Sequence, residues 1–307
     1  MIPRPLFAIL LAMPVAAHAA ELRVGPGERF ARPSAAAAAA RPGDRILIHA
    51  GRYQDCAVWH APDLTIEAAG GTVDISGPVC AGKALFVTAA PRITIIGLTF
   101  RGAVAPPGNG AGIRAEGGDL TVRRTRFESN QNGILTAASL PTATLLIEDS
   151  VFVANGAREE DRDCAHGLYA GNLALVSIRR TRFEATRICH HVKSRAQRTE
   201  ILDSFILDGP AGRASYLIDV PNGGNLLLRN TVLLKGPQVG NPTAAVVIGA
   251  EGVRHPTTSL VIEDNRFSNL MARPTLFVRN LSQAPAELVA NRLSGEVVAL
   301  EGPGHVR

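Results

Sequence analysis

The feature that most constrains this chain is an internal repeat with the period of a solenoid coil. Each copy has a short strand, a turn and a second strand that carries Asp/Arg-x-x-Phe. The clearest copies are LTVRRTRFESN (120–130), LLIEDSVFVANG (145–156), LVSIRRTRFEAT (175–186), TEILDSFILDG (199–209) and LVIEDNRFSNL (260–270). The repeated short strands predict an all-β solenoid. Because the spacing between copies is unequal, insertions lie in the turns, which favours a single-stranded right-handed parallel β-helix with coils of roughly 21 to 35 residues.

Aligning the copies predicts a row of side chains that stack inside the solenoid, about 4.8 Å apart. The predicted row is Phe100, Phe127, Phe152, Phe183, Phe205, Val232 and Phe267. Aromatic rings at this spacing can form an offset-stacked ladder. In the strands between the copies, alternation predicts that Ile134, Leu168 and Val192 point inward and their neighbours outward.

Composition agrees with many short strands. Only 5% of residues are aromatic, whereas the chain has 30 Gly and 20 Pro. Near the beginning, RPSAAAAAARPGDRILIHAGRY (32–53) predicts a short helix, a Pro-Gly-Asp turn and a first strand. An open solenoid end exposes unpaired strand edges, so we expect residues of about 22–53 to form an N-terminal cap. Residues 20–307 then form one domain.

The first nineteen residues have the pattern of a secretory signal peptide. Arg4 supplies the positive start, LFAILLAMPVAA is a short apolar run, and Ala17-His18-Ala19 fits a cleavage site. The apolar run is shorter than the ~20 residues that a membrane span needs, and no later segment comes close. The sequence therefore predicts a periplasmic or secreted protein, the alternative being an uncleaved anchor.

The four cysteines form two pairs separated by about one coil. Cys56 and Cys80 are 24 residues apart, and Cys164 and Cys189 are 25 apart. Residues one coil apart stack at strand spacing, which a disulfide can bridge, and exported proteins meet an oxidising environment. We predict the disulfides Cys56–Cys80 and Cys164–Cys189. The alternative for the second pair is a metal site with neighbouring histidines, since zinc accepts both ligand types.

The segment HHVKSR (190–195) is the most unusual in the chain. If Val192 points inward, His191, Lys193 and Arg195 point outward as one row. The preceding coil places Tyr169 on the same face. The following coil places Asp219 there, with Tyr216 nearby if the register is shifted by one.

These side chains suit removal of the C5 proton of a uronic acid, which needs a base and a cation beside the carboxylate. Like charges around Lys193 predict a lowered pKa and a role as the base. Arg195 is predicted to hold the carboxylate, and Tyr169 or His191 to return a proton to the leaving oxygen. We assign substrate binding to His166, His190, Asp219 and Tyr216.

Each of these residues also has a structural alternative. The charged row can be only the solvated outer face, His190 can occupy a turn, and Tyr216 can belong to the core. Asp219 can instead orient a cationic neighbour or bind Ca²⁺, the one possible cofactor that the sequence suggests. Glu251 and His255 can line the same groove.

Asparagines at turns have simpler explanations. Asn222, with Gly223 and Gly224, is explained by a tight turn. Asn130, Asn132 and Asn155 occur at corresponding turns and are expected to satisfy backbone groups from coil to coil.

The formal net charge is +5 and nearly all of the basic excess is arginine. The arginines are scattered along the chain rather than clustered, and an exported protein seldom meets nucleic acid. We therefore predict an acidic polysaccharide as the partner and no nucleic acid. We also expect no membrane span and a monomeric state.

The capping segment with PGDRILIHAGRY, the recurrent coils that carry phenylalanine and the export signal together resemble the pectate-lyase-like superfamily of right-handed parallel β-helix proteins. The resemblance implies polysaccharide lyases, hydrolases, epimerases or noncatalytic carbohydrate-binding proteins. Lyases of the chondroitinase B and alginate lyase type pair a lysine base with an arginine, which implies Lys193 and Arg195 here. The expected function is β-elimination on a uronic-acid glycan, and the alternative is a noncatalytic binding or scaffolding protein of the cell envelope.

Overall fold

The computed structural model describes residues 19–106, 108–157 and 164–307. The predicted signal peptide, 1–19, lies outside the described residues apart from its last one. Thirty strands and one helix occur in the described ranges. They are β1 (Glu21–Val24), α1 (Pro33–Ala39), β2 (Arg45–Gln54), β3 (Ala57–Trp59), β4 (Leu64–Ser76), β5 (Ala84–Thr88), β6 (Ile93–Ile96), β7 (Leu98–Arg101), β8 (Ala111–Ala115), β9 (Leu120–Arg123), β10 (Arg126–Glu128), β11 (Asn132–Thr136), β12 (Ser139–Glu148), β13 (Val151–Val153), β14 (Leu168–Ala170), β15 (Asn172–Arg179), β16 (Arg182–Glu184), β17 (Val192–Ser194), β18 (Arg198–Leu202), β19 (Phe205–Leu207), β20 (Ile218–Val220), β21 (Asn225–Arg229), β22 (Val232–Lys235), β23 (Ala244–Ile248), β24 (Leu260–Glu263), β25 (Arg266–Asn269), β26 (Thr275–Asn280), β27 (Ala286–Val289), β28 (Arg292–Ser294), β29 (Val297–Glu301) and β30 (Gly304–Val306).

The strands form three parallel ladders, to which most coils contribute one strand each. Sheet 1 runs β1-β2-β4-β6-β9-β12-β15-β18-β21-β24-β27-β30, and sheet 2 runs β4-β7-β10-β13-β16-β19-β22-β25-β28. The long β4 pairs with both β6 and β7 and so joins these two ladders. Sheet 3 runs β3-β5-β8-β11-β14-β17-β20-β23-β26-β29. All strand pairs are in parallel register, so the predicted parallel β-helix is confirmed.

One continuous apolar core lies between the three ladders. Ile134, Leu168 and Val192 are buried in it, as predicted. The rings of Phe127 and Phe152 stack with centroids 4.5 Å apart, and the stack continues to Phe183 at 4.3 Å. The aromatic part of the predicted ladder is therefore confirmed from Phe100 to Phe183.

The predicted ladder is wrong at two coils. Phe183 pairs with Ile206, and Ile206 with Leu233, before the ladder reaches the next phenylalanine. Phe205 instead points outward and is 44% exposed, and Val232 is its neighbour on the outer face. The ladder positions are thus separated by as few as 23 residues, from Phe183 to Ile206, and the coil lengths stay within the predicted range.

The turn residue before each sheet 2 strand explains the shift. Asp149 and Asp203 both have a positive φ, of 51°, and therefore occupy equivalent turns. The residue three positions later points inward, which is Phe152 in one coil and Ile206 in the other. The position of this left-handed turn residue, rather than the nearest phenylalanine, sets the register of a coil.

The predicted N-terminal helix is present as α1. Pro33 begins it, where the fixed φ of proline suits a first helical turn. Ala36 is fully buried against the first strands, so the helix covers the end of the apolar core. Asp55 accepts a hydrogen bond from the backbone N–H of Ser34, and Asp44 accepts one from Ala20, which ties the cap to the first coil.

Both predicted disulfides are formed. The Cα atoms are 5.4 Å apart in Cys56–Cys80 and 5.9 Å apart in Cys164–Cys189. Since both sulfurs of the second pair are bonded to each other, the metal-site alternative for these cysteines is excluded. No helix in the described ranges is long and apolar enough to cross a membrane.

The turn asparagines satisfy backbone groups between coils, as predicted. Asn130 donates to the carbonyl of Phe100 and to the side chain of Asn155, and Asn155 donates to the carbonyl of Phe127. Asn132 accepts a hydrogen bond from the backbone N–H of His166.

Candidate functional site

The candidate site is built on the outer face of sheet 3. The strand register places Tyr169, Lys193 and Asp219 next to one another on three successive coils. Their chain neighbours Leu168 and Val192 point into the core. The predicted juxtaposition of a phenol, an ammonium and a carboxylate is therefore present.

Lys193 lies in a pocket of negative charge and is only 7% exposed. Its Nζ donates to Asp219 Oδ2 at 2.8 Å and to Glu251 Oε1 at 2.7 Å. Burial lowers the pKa of Lys193, but the two carboxylates outweigh burial and the net pKa is raised. The predicted lowering of this pKa is wrong, because the charged form is the one that the site stabilises. A catalytic role of Lys193 stays a prediction.

Arg195 is held by three side chains from three different segments. Its Nε donates to Tyr169 Oη at 2.9 Å, one terminal nitrogen donates to Asn222 Oδ1 at 2.6 Å, and the other lies 2.7 Å from Glu251 Oε2. Burial lowers the pKa of Arg195, but its bonds to Tyr169 and Glu251 outweigh it and raise the net pKa. Asn222 is thus a partner of the guanidinium as well as a turn residue.

Glu251 bridges the two cations. One carboxylate oxygen faces Lys193 and the other faces Arg195, while the side chain remains 42% exposed. Burial raises the pKa of Glu251, but the two cations more than offset it, so the net pKa is lowered and the carboxylate is charged. The residue sits on a turn between Gly249 and Gly252, both with positive φ.

His255 lies beside this cluster on the same loop. Its Nε2 is 2.9 Å from the backbone carbonyl oxygen of Arg195. Because a carbonyl oxygen only accepts, Nε2 is the donor, and in the neutral imidazole the lone pair then lies on Nδ1. Nδ1 has no hydrogen-bond partner among the residues that the structure describes. Glu251 and His255 do line the groove that the sequence suggested.

The groove over sheet 3 has a volume of about 1660 Å³. Asn109 and Arg114 lie toward one end of it, and Arg254 and His255 toward the other, with Tyr169 between them. Tyr169, Arg195, Asn222, Glu251 and His255 all contribute to its wall. The groove extends over several coils, which is the shape expected for a polymer ligand.

His191 does not belong to the outer row. It is fully buried, with Nδ1 2.7 Å from Thr186 Oγ1 and Nε2 3.0 Å from Asp208 Oδ1. The prediction that His191 points outward, and with it a catalytic role on the outer face, is wrong. The reason is that the strand β17 begins only at Val192, so strand alternation does not extend back to His191 at the corner.

His166, His190 and Tyr216 form a stack behind the groove, one ring per coil. The ring centroids are 4.9 Å and 5.1 Å apart. Each histidine Nδ1 accepts a backbone N–H from the next coil, His166 from His190 and His190 from Tyr216. His190 Nε2 lies 3.4 Å from Asp219 Oδ2, so the stack also supports the Lys193–Asp219 pair.

Both histidines in the stack are held neutral. Burial, followed by the charge of Lys193, lowers the pKa of His190 to about 3. Burial also places the pKa of His166 well below its usual range, with His190 adding to the effect. Their hydrogen bonds and stacking make them positioning groups, and substrate contact by His166, His190, Asp219 and Tyr216 stays a prediction.

No group of three or more His, Cys, Asp or Glu side chains within the described ranges is arranged to hold a metal ion. The carboxylate of Asp219 accepts from the Lys193 ammonium through Oδ2, whereas its buried Oδ1 has no partner among the described residues. Binding of Ca²⁺ at Asp219 stays a prediction.

Sequence reasoning missed the contact of Asn222 with Arg195 and the bridge made by Glu251. The signal for both was their position after a sheet 3 strand, on the loops that follow β20 and β23. Loops that follow adjacent parallel strands lie at the same edge of a sheet. That rule places Asn222 near Glu251, but it does not give the side-chain directions.

No protein-family model matches the chain, and no curated protein matches it. Among solved structures, the chain is similar to the A-module of the Azotobacter vinelandii mannuronan C-5 epimerase AlgE4, with 14% identity and a TM-score of 0.41. The match covers 89% of this chain and 93% of that one.

Proposed function

We propose that this protein is an exported enzyme that binds an acidic polysaccharide in the groove over sheet 3 and cleaves it by β-elimination at a uronic acid. One observation carries the proposal. A carboxylate, that of Glu251, bridges Lys193 and Arg195 directly beside the Tyr169 hydroxyl. The same two cations can stabilise the carboxylate of a uronic acid, because negative charge on that carboxylate increases as the C5 proton is removed.

Binding of substrate requires that the carboxylate of Glu251 leave its position between Lys193 and Arg195. Its side chain is half-exposed and sits on a glycine-flanked turn, so it can swing toward solvent. The substrate carboxylate then takes its place between Lys193 and Arg195. A guanidinium binds a carboxylate in a bidentate manner, and Asn222 holds the guanidinium in position.

Proton removal from C5 is assigned to His255 rather than to Lys193. The ammonium of Lys193 is stabilised by two carboxylates, so it has no lone pair to offer. The Nε2 proton of His255 is directed to the Arg195 carbonyl, and Nδ1 therefore has a lone pair to accept a proton. The electrons of the C5–H bond form the C4–C5 double bond as the bond from C4 to the glycosidic oxygen breaks.

The leaving oxygen receives its proton from Tyr169. Arg195 Nε donates to Tyr169 Oη, so the phenolic proton itself points away from the guanidinium. Tyr169 lines the groove and adjoins the carboxylate site through Arg195. His255 and Tyr169 thus divide the two proton transfers between a base and an acid.

The charge of the groove supports an anionic ligand, and the disulfides support a location outside the cytosol. Arg114 and Arg254 also line the groove, which gives its wall more positive than negative charge. The two disulfides are typical of proteins in oxidising compartments, so we place the protein in the periplasm or outside the cell.

The test is a product assay on alginate, pectate, glycosaminoglycans and bacterial exopolysaccharides, which follows the ultraviolet absorbance of the unsaturated uronate. On the polymer that gives product, His255→Gln and Tyr169→Phe should each lower kcat by roughly 100-fold or more. Tyr53→Phe is the matched control, because that phenol donates to the carbonyl of His49 near the N-terminal cap, does not line the groove and should retain wild-type turnover. Full activity in both groove variants, or no product from any polymer, contradicts the proposal.

A second candidate is noncatalytic binding of the same polymer. It is favoured by the internal neutralisation of the cluster, in which Lys193 and Arg195 already have carboxylate partners. Salt-sensitive binding to an acidic polymer without product, weakened by Arg195→Gln but not by His255→Gln, would establish this function instead.

A further inference from the structure

A second feature of the surface lies on sheet 2, on the outer side of the repeat. In two coils the repeat reads Arg-Phe-Glu, at 126–128 and 182–184. The phenylalanine points inward, and the arginine and glutamate two residues apart point outward together. Arg126 bonds Glu128 at 2.7 Å, and Arg182 bonds Glu184 at 2.8 Å. Arg126 and Arg182 therefore each have a carboxylate partner on the same strand.

The last two coils of sheet 2 lack this counter-charge. They read Arg266-Phe267-Ser268 and Arg292-Leu293-Ser294, so serine replaces the glutamate. Neither arginine forms an ion pair with any residue that the structure describes. The serine hydroxyls bond each other instead, with Ser268 Oγ and Ser294 Oγ 2.8 Å apart.

The two arginines lie directly opposite each other. Arg266 is the register partner of Arg292, at a strand spacing of about 4.8 Å. Like charges at directly opposed positions destabilise a strand pair. An anion between them would remove that repulsion, and the Ser268 hydroxyl, which accepts from Ser294, still has its own proton to donate to it. We call Arg266, Arg292, Ser268 and Ser294 the arginine–serine site.

A surface depression adjoins this site. It has a volume of about 440 Å³ and is lined by Asn230, Asp264, Arg266 and Arg292 among others. A smaller one, of about 250 Å³, shares three of these residues and extends to Phe205. The larger depression carries one carboxylate against two guanidinium groups, so positive charge is in excess there. The smaller depression carries Asp203 and Asp264 against Arg266, so the positive excess is confined to the end beside the arginine–serine site.

Phe205 gives the depression an apolar end. Its ring is 44% exposed, and the Arg182 guanidinium lies 5.7 Å from the ring centroid. The register places Phe205, Val232 and Arg266 on successive coils, so the ring is two strand spacings from the arginine–serine site. An exposed aromatic ring beside charged and amide groups suits the apolar face of a sugar.

We infer that the arginine–serine site binds the carboxylate or sulfate group of an anionic glycan, with a neighbouring sugar of the same chain packed on Phe205. The site lies on a different sheet from the groove. It does not depend on whether the groove is catalytic. Its function would be to hold the polymer on the surface of the solenoid.

The experiment measures binding of labelled oligogalacturonate, heparin oligosaccharide and neutral dextran to the full chain carrying Arg195→Gln, which weakens the groove. Adding Arg266→Gln and Arg292→Gln should weaken binding of the carboxylated or the sulfated probe about tenfold or more, equivalent to about 1.4 kcal/mol. The matched control adds Arg123→Gln and Arg126→Gln, which removes the same charge from arginines that already have a glutamate partner and lie away from Phe205. The control should bind like its parent.

A second pair of variants restores the repeat. Ser268→Glu with Ser294→Glu recreates Arg-x-Glu in both coils, so it should abolish anion binding and raise the melting temperature without ligand. The inference is overturned if neither anionic probe binds, if dextran binds as well as they do, or if both arginine pairs lower affinity equally. It is also overturned if the glutamate variants bind the two anionic probes normally. The same holds if an acidic peptide displaces the labelled probes and no unlabelled anionic glycan does.

Discussion

The buried histidine stack makes the stability of this protein sensitive to acid. The pKa of His190 is lowered from 6.5 to about 3, first by burial and then by the charge of Lys193. Between those pH values the unfolded chain binds a proton that the native state excludes. The free energy of unfolding therefore falls as pH decreases through this window.

The magnitude follows from the two pKa values. One pKa unit corresponds to 1.36 kcal/mol, so His190 alone accounts for about 5 kcal/mol between pH 6.5 and 3. In His190→Gln the amide can still accept the backbone N–H of Tyr216, but it cannot bind a proton. The variant should lose some stability at pH 7 because the ring stack is interrupted. In addition, the slope of its unfolding free energy against pH should be smaller than that of the wild type by about 1.4 kcal/mol per pH unit.

The assay is equilibrium urea unfolding at a series of pH values from 4 to 7, with the disulfides intact. The buried His166 also has a lowered pKa and remains in the variant, so the acid dependence should become shallower without vanishing. His60→Gln, which replaces an exposed histidine, is the control and should follow the wild type. If His190→Gln and the wild type show the same slope of unfolding free energy against pH, the neutral buried imidazole is not the cause.

Three further changes test the packing. Phe183→Ala removes a buried ring from the stacked ladder and should cost about 3–5 kcal/mol in urea unfolding, whereas Phe205→Ala, on the surface, should cost far less. Replacing Cys164 and Cys189 by alanine opens a loop of 25 residues and should lower the unfolding free energy by about 3 kcal/mol, and reductant should destabilise the wild type by more because it also opens Cys56–Cys80. Burial lowers the pKa of Lys235 to about 8 from 10.5, so Lys235→Met should gain up to about 3 kcal/mol at pH 7, and the gain should shrink as pH rises from 8 to 10.5.

Much of the fold could be predicted because a solenoid has one dominant rule. Residues one coil apart are neighbours, so spacing alone predicted Cys56–Cys80 and the Tyr169–Lys193–Asp219 row. The alternation of inward and outward side chains, in contrast, failed where the chain leaves a strand. His191 was assigned by alternation, but it lies at a corner and is turned into a polar pocket of the interior.

The charge state of Lys193 could not be predicted from its own strand. The neighbours on that strand are cationic, and they favour a neutral amine. The groups that decide the outcome are Asp219 on the next coil and Glu251 on a loop one coil further. Loop conformation, not strand register, brings Glu251 onto Lys193 and His255 onto the carbonyl of Arg195.

The two proposed sites share one origin, which is a departure from the repeat at positions that point outward. On sheet 3 the outer row is apolar at Leu135 and again at Val247, and the coils between them carry Tyr169, Lys193 and Asp219. On sheet 2 the departure is the loss of the glutamate at the arginine–serine site. Inward positions are restricted by packing in every coil, whereas outward positions are free to change one coil at a time without disturbing register. Chemical groups can therefore accumulate along the solenoid axis at strand spacing, and a ligand that extends over several coils can contact all of them at once.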